Sequence, residues 1–127
     1  MARFQVNFHL YAENIDRAIH FYNEHFNFSV LGKIEEENVE PWAAIRIENA
    51  IIWLGKEGTS TGLILLIDKD LELFVNQLVK QGVVFIMPEK FQNESEENQK
   101  FLKTEWGKHA WFIDSERNLV MLFQPIE

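Results

Sequence analysis

Trp106-Gly107-Lys108-His109-Ala110-Trp111-Phe112-Ile113-Asp114, a turn, then Asn118-Leu119-Val120-Met121-Leu122-Phe123 reads as strand, turn, strand. A weaker copy closes the first half of the chain: Trp42 to Glu48, a turn at Asn49, then Ala50-Ile51-Ile52-Trp53-Leu54. Two halves that end alike predict a duplicated module with a pocket between its copies. Function is then sought among the residues that face that pocket.

Working outward, the residues before each hairpin repeat in the same order. Phe4, Val6, Phe8 and Leu10 alternate with Gln5, Asn7, His9 and Tyr11, the period of a strand with one apolar face. Asn14 is a good N-cap for a helix whose Ile15, Ala18, Ile19, Tyr22 and Phe26 fall at helical spacing. Asn27 stands where the chain must leave that helix, and Asn tolerates the left-handed conformation of C-termini. Phe28 to Ile34 reads as a strand, followed by the acidic turn Glu35-Glu36-Glu37-Asn38. In the second half, Leu63, Leu65 and Ile67 mark a strand. Asp70 caps a helix with the stripe Leu71, Phe74, Val75, Leu78 and Val79, ended by Gly82. Val83 to Met87 is a strand stopped at Pro88. Residues 89–105 are polar, without an apolar period, and read as a long loop. The pattern is βαβββ twice, an α+β class, with module 1 at about 1–58 and module 2 at about 59–127. One helix per four strands covers a single sheet face, so the other face must meet something else.

Composition bounds the function. At 127 residues the chain is long enough to bury a core without metals or disulfides. Cysteine is absent, which fits a reducing compartment, and no run of ~18 apolar residues suggests a membrane span. The N-terminus lacks the apolar core of a signal peptide, so the expectation is a cytoplasmic protein. A net charge of -8 argues against nucleic acid as a partner and is compatible with a cationic ligand.

Three motifs then carry a resemblance. Asn14-Ile15-Asp16-Arg17-Ala18-Ile19-His20-Phe21-Tyr22, Phe26-Asn27-Phe28, and Asp114-Ser115-Glu116-Arg117-Asn118 after Trp106-Gly107 resemble those of the vicinal oxygen chelate superfamily. That superfamily includes glyoxalases, extradiol dioxygenases and bleomycin resistance proteins, and Trp-Gly resembles the pair in bleomycin-resistance-type members. Two departures stand out: the last turn lacks a Pro and a Gly, and Asn27 replaces a Gly. The resemblance implies a glyoxalase-like fold, two βαβββ modules in tandem forming a cupped mixed sheet, and a homodimer. It also implies four pocket positions where metal-using members place His, Gln or Glu. Here those positions align with Asn7, Ile52, Gly62 and Met121, a poor donor set for a hard divalent ion. No metal and no cofactor are therefore expected.

The candidate ligand-binding residues are Asn7, His9, Trp42, Arg46, Trp106, His109, Trp111 and Met121. His9 and His109 are hydrogen-bonding or acid–base groups in one reading and solvated strand residues in the other. His20 and His25 read as surface residues on the first helix. The tryptophans offer faces that stack on planar ligands and attract cations, with core packing the alternative, favoured for Trp53. Arg46 could hold a carboxylate or phosphate or pair across the sheet. The runs Glu35 to Glu37 and Glu94 to Glu97 read as solvated loops. No catalytic residue is assigned. The expected function is sequestration of a small aromatic or cationic molecule by a metal-free binding protein rather than an enzyme. The alternative is a glyoxalase-related lyase or isomerase.

Overall fold

The computed structural model describes residues 2–4, 6–48, 50–57, 60–94 and 100–126, with the side chains of Asn93 and Glu94 excepted. Gln5, the Asn49 turn and residues 95–97 of the acidic run lie outside the described residues. The chain divides into two units, Met1–Gly62 and Leu63–Glu127.

The first unit runs β1 (Phe8–Tyr11), α1 (Ile15–Phe26), β2 (Ser29–Ile34), β3 (Trp42–Ile47) and β4 (Ala50–Gly55). Its sheet has the order β1-β4-β3-β2, with β1 parallel to β4 and the other pairs antiparallel. Local chemistry fixes the helix at both ends. The Asn14 side chain accepts a hydrogen bond from the Arg17 N–H, satisfying an orphan donor of the first turn. At the other end Asn27 takes a left-handed φ of 58°, the conformation expected of it, and its N–H bonds back to Asn23. Ile15, Ala18 and Tyr22 of α1 are buried together with Leu10, Ala43, Ile45, Ile52 and Leu54 of the sheet. Tyr22 also stacks on Phe28 at 5.7 Å.

The first strand is shorter than its alternation predicts. Phe4 and Val6 are 94% and 77% exposed, and neither belongs to a strand. The ladder joins Phe8–Tyr11 to Ile52–Gly55 and stops there, although β4 itself starts two residues earlier, at Ala50. Apolar alternation marks a sided segment, but it does not fix where along that segment the ladder begins.

The second unit runs β5 (Ile64–Leu66), α2 (Leu71–Lys80), β6 (Val84–Ile86), a 3₁₀ turn (Glu89–Glu94), β7 (Leu102–Thr104), β8 (Gly107–Ile113) and β9 (Leu119–Pro125). The sheet order is β5-β9-β8-β6, with β7 paired to β8 at the end that β6 leaves open. Asp70 caps α2 as expected, accepting from the N–H groups of Glu72 and Leu73. Leu71, Val75 and Leu78 are buried with Ala110, Phe112, Val120 and Leu122. Val79, counted in the apolar stripe, is 40% exposed and sits at its margin. Residues 89–105 are not one structureless loop. Phe91 lies in the 3₁₀ turn and the buried Leu102 in β7, apolar residues too few and too widely spaced to show a period.

Both units pin the helix to the sheet in the same way. Lys33 of β2 pairs with Asp16 in the first turn of α1, and Lys108 of β8 pairs with Glu72 in the first turn of α2 at 2.9 Å. Those carboxylates raise the affinity of each lysine for its proton. The pins also identify the helix-covered face of each sheet, and hence the face opposite the helix.

The turn at 114–118 shows how the missing Pro and Gly are replaced. Asp114 Oδ1 accepts from the N–H groups of Glu116 and Asn118, and Oδ2 accepts from the Asn118 amide. Arg117 takes a φ of 70°, a conformation a glycine would hold without strain. Side-chain bonding to the backbone supplies the turn that sequence composition omits. Gly107, by contrast, is irreplaceable. Its φ is 147°, and a Cβ there would lie 2.1 Å from the Gln124 carbonyl oxygen.

Candidate functional site

In the first unit the alternation of β1, β3 and β4 sends His9, Tyr11, Trp42, Ala44, Arg46, Ile51, Trp53 and Gly55 to the face opposite α1. Register then decides which of these meet. Trp42 lies directly opposite Gly55, and Trp53 lies opposite Ala44. Each indole thus faces a small residue and is free to lean toward the other across the diagonal. The two ring centroids stand 5.1 Å apart with a 55° tilt, making a corner of two aromatic faces. With His9, Glu40, Pro41, Gly55, Lys56 and Glu57, the corner lines a pocket of about 200 Å³. Trp53, read from sequence as packing, is half-buried and belongs to this pocket.

Ile52 requires a correction. It was aligned with a pocket position, but it is fully buried on the helix-covered face, opposite Ile45. The β4 residues on the other face are Ile51 and Trp53. The shift follows from the strict period of two: one residue of misalignment moves a side chain through the sheet. Gly62 has a φ of 83° and no side chain, and Met121 lies opposite Trp111 within the second unit. Asn7 is exposed and precedes β1. An amide and a thioether are the side-chain donors this set offers, so the residues at the four positions do not fit a divalent ion. Among the described residues, no three His, Asp or Glu side chains gather in metal-binding geometry.

In the second unit the face opposite α2 carries Trp111 and His109 of β8, Met121 and Phe123 of β9, and Leu102 and Thr104 of β7. Four rings stand in one row. Phe123 stacks on His109 at 4.6 Å, His109 on Trp111 at 5.9 Å with a 12° interplanar angle, and Trp111 on Phe91 at 5.3 Å. His109 Nε2 is 2.8 Å from Thr104 Oγ1. Burial between rings lowers the His109 pKa from its ordinary 6.5, so the imidazole is neutral at pH 7. It acts here as a flat, uncharged member of the stack. Exposed aliphatic residues border the row on the same face: Ile64 and Leu66 of β5, Val84 and Ile86 of β6, and Leu119 of β9.

The candidate residues therefore separate. His9 and Trp42 share the first unit's pocket. Arg46 is on the same face but exposed, four residues from Trp42 and opposite Ser29 and Ile51. His109 and Trp111 stack, with Met121 opposite Trp111. Trp106 is 67% exposed in the β7–β8 turn. Its backbone is tied down by a hydrogen bond from its N–H to Thr104 Oγ1 and one from the Ile126 N–H to its carbonyl. His20 pairs with Glu24 on the surface of α1 as expected. Phe91 and Phe123 complete the row and were not singled out from sequence. A lone phenylalanine inside a polar stretch was the available signal for Phe91.

No protein-family model matches the chain, and no curated protein matches it significantly by sequence. Solved structures do. The antibiotic binding protein TnmS3 from Streptomyces sp. CB03234 matches with a TM-score of 0.72 at 23% identity over 99% of each chain. A glyoxalase/bleomycin resistance protein/dioxygenase superfamily member from Sphaerobacter thermophilus matches at 0.73 and 18% identity, over 97% of this chain and 98% of that one. The fosfomycin resistance protein FosX from Listeria monocytogenes, in complex with Mn(II) and sulfate, matches at 0.69 and 14% identity, over 99% and 95%. The chain has the fold of the glyoxalase/bleomycin resistance/dioxygenase, or vicinal oxygen chelate, superfamily.

Proposed function

We propose that this chain binds and sequesters a small planar aromatic molecule by stacking, without a metal ion. The observation that carries the reading is the row Phe123, His109, Trp111 and Phe91, whose nearly parallel planes match the geometry a flat ligand would extend. A neutral His109 adds a polar edge without the desolvation cost of a buried charge. The antibiotic-binding character of TnmS3, a protein of the same fold, supports a binding rather than a catalytic assignment. So does the weakness of Asn7, Gly62 and Met121 as metal donors. The candidate residues Trp106 and Met121 would border the ligand. We further propose a cytoplasmic homodimer. Phe4, Val6, Ile64 and Leu66 support the dimer as large apolar side chains more than half exposed, and the cysteine-free sequence supports the compartment.

A thermal-shift panel of planar aromatic compounds, run in EDTA and again with Mn(II), tests this. A ligand that occupies the native state raises its melting temperature. At least one compound should do so equally in both conditions, and Phe91→Ala should reduce the shift. Failure of every compound would sink the reading. A shift that appears only with Mn(II) would replace it with the lyase or isomerase alternative, in keeping with the metal found with FosX.

A further inference from the structure

We infer that the Trp42–Trp53 corner of the first unit is a second, independent site, for an organic cation of the alkylammonium or quaternary ammonium class. Gly55 lines the pocket beside Trp42 and Trp53, and a Cβ there would already touch Trp42 and Pro41, so any larger side chain would have to enter the pocket or displace the indole. Trp42 and Trp53, with ring centroids 5.1 Å apart and planes tilted by 55°, both line this pocket and offer it indole π surface. That arrangement attracts a compact cation and is too bent to sandwich a flat ring system. A volume of about 200 Å³ admits a trimethylammonium head.

The charges around the pocket agree with this. Glu40 and Glu57 line it, and among the described residues neither has an ion-pair partner. The one lysine in the lining, Lys56, sends its ammonium 3.5 Å from Glu13, which also accepts a hydrogen bond from the Tyr11 hydroxyl. Lys56 is thereby matched locally, and the carboxylates of Glu40 and Glu57 remain to face a bound cation. Carboxylates at an aromatic corner add Coulombic attraction to the cation–π term, and both favour charge over shape. This site shares no residue with the row in the second unit and does not rest on the stacking proposal.

Calorimetric titration of the full chain with choline, and with its neutral isostere 3,3-dimethylbutan-1-ol, separates charge from shape. Choline should bind saturably, with the isostere about tenfold weaker or more. Gly55→Val should abolish binding, since a Cβ at Gly55 makes an ordinary 3.5 Å contact with Trp42 and the added methyl groups would have to enter the pocket or displace the indole. Glu40→Gln with Glu57→Gln, both at exposed positions, should weaken choline several-fold while the circular dichroism stays native. Phe91→Ala should leave choline affinity unchanged. Equal affinity for choline and its isostere, no saturable choline binding, or choline binding that survives both the glycine and the double glutamate substitutions would overturn the proposal.

Discussion

The two sheets of this protein share an order of elements and a lysine pin, yet their faces opposite the helices differ in kind. In the first unit, small residues opposite each tryptophan let two indoles lean into a corner ringed by Glu40, Glu57 and a locally paired lysine. In the second, medium and large side chains oppose one another, His109 against Phe123 and Trp111 against Met121, and the rings line up as a nearly flat row with a neutral imidazole inside it. The difference teaches that a repeated backbone does not repeat its chemistry. One cross-strand choice, small against large, accompanies the change from a row to a corner, and charged side chains line the corner.

The sharpest way to break this comparison is to remove one tryptophan from each face. Trp111 is 9% exposed and sandwiched, so Trp111→Ala should cost about 3–5 kcal/mol of unfolding free energy. Trp53 is only half-buried, so Trp53→Ala should cost about 1–3 kcal/mol. Urea denaturation of the two variants reads the difference directly. Equal losses would mean that the corner is as much a part of the core as the row is.

A smaller effect separates the turns. Asp114 is buried and accepts three hydrogen bonds that hold the 114–118 turn, including a left-handed arginine. Asp114→Ala leaves buried donors unmatched and should cost about 1–3 kcal/mol. Asn14→Ala removes the capping bond from the Arg17 N–H in the first unit and should cost about 1 kcal/mol. If the cap proves the costlier of the two, the turn is held by strand pairing rather than by Asp114.

The smallest expected effect is on pH dependence. The folded His109 binds its proton less readily than the unfolded one, because burial disfavours the charged ring. Between the unfolded value of 6.5 and the lower folded value, the unfolded chain holds more protons. The contribution is therefore fully present above pH 6.5 and declines as the pH falls below it. His109→Phe should flatten the slope of stability against pH below 6.5. An unchanged slope would show that burial of the imidazole does not couple to folding, and would weaken its assignment as a neutral stacking group.

Much of the fold was legible because its signals are local. Asn14, Asn27 and Asp70 cap or end helices through bonds to residues within four positions, and the structure shows each doing so. The apolar spacing of α1 and α2 placed both helices, and the two hairpins appear as β3–β4 and β8–β9. The site was legible only in part. His109 and Trp111 are two apart on one strand, so their shared face follows from alternation alone. Phe91 reaches Trp111 across twenty residues of chain, through a 3₁₀ turn that no apolar period announces. Ile52 was placed on the wrong face because sequence alignment was uncertain by one residue, and one residue is the whole difference between core and pocket.

The sequence by itself determined the duplicated order of elements, the helix ends and the acidic charge. Caps, turns and periodicities act over a few residues, and their energetics can be read one window at a time. Tertiary structure alone decided that Trp42 meets Trp53, that Phe91 completes the row, and that Phe4 and Val6 join no strand. Those outcomes depend on strand register and on where along each strand the ladder begins and ends. Register is set by the packing of a whole sheet face at once, and no local stretch of sequence contains it.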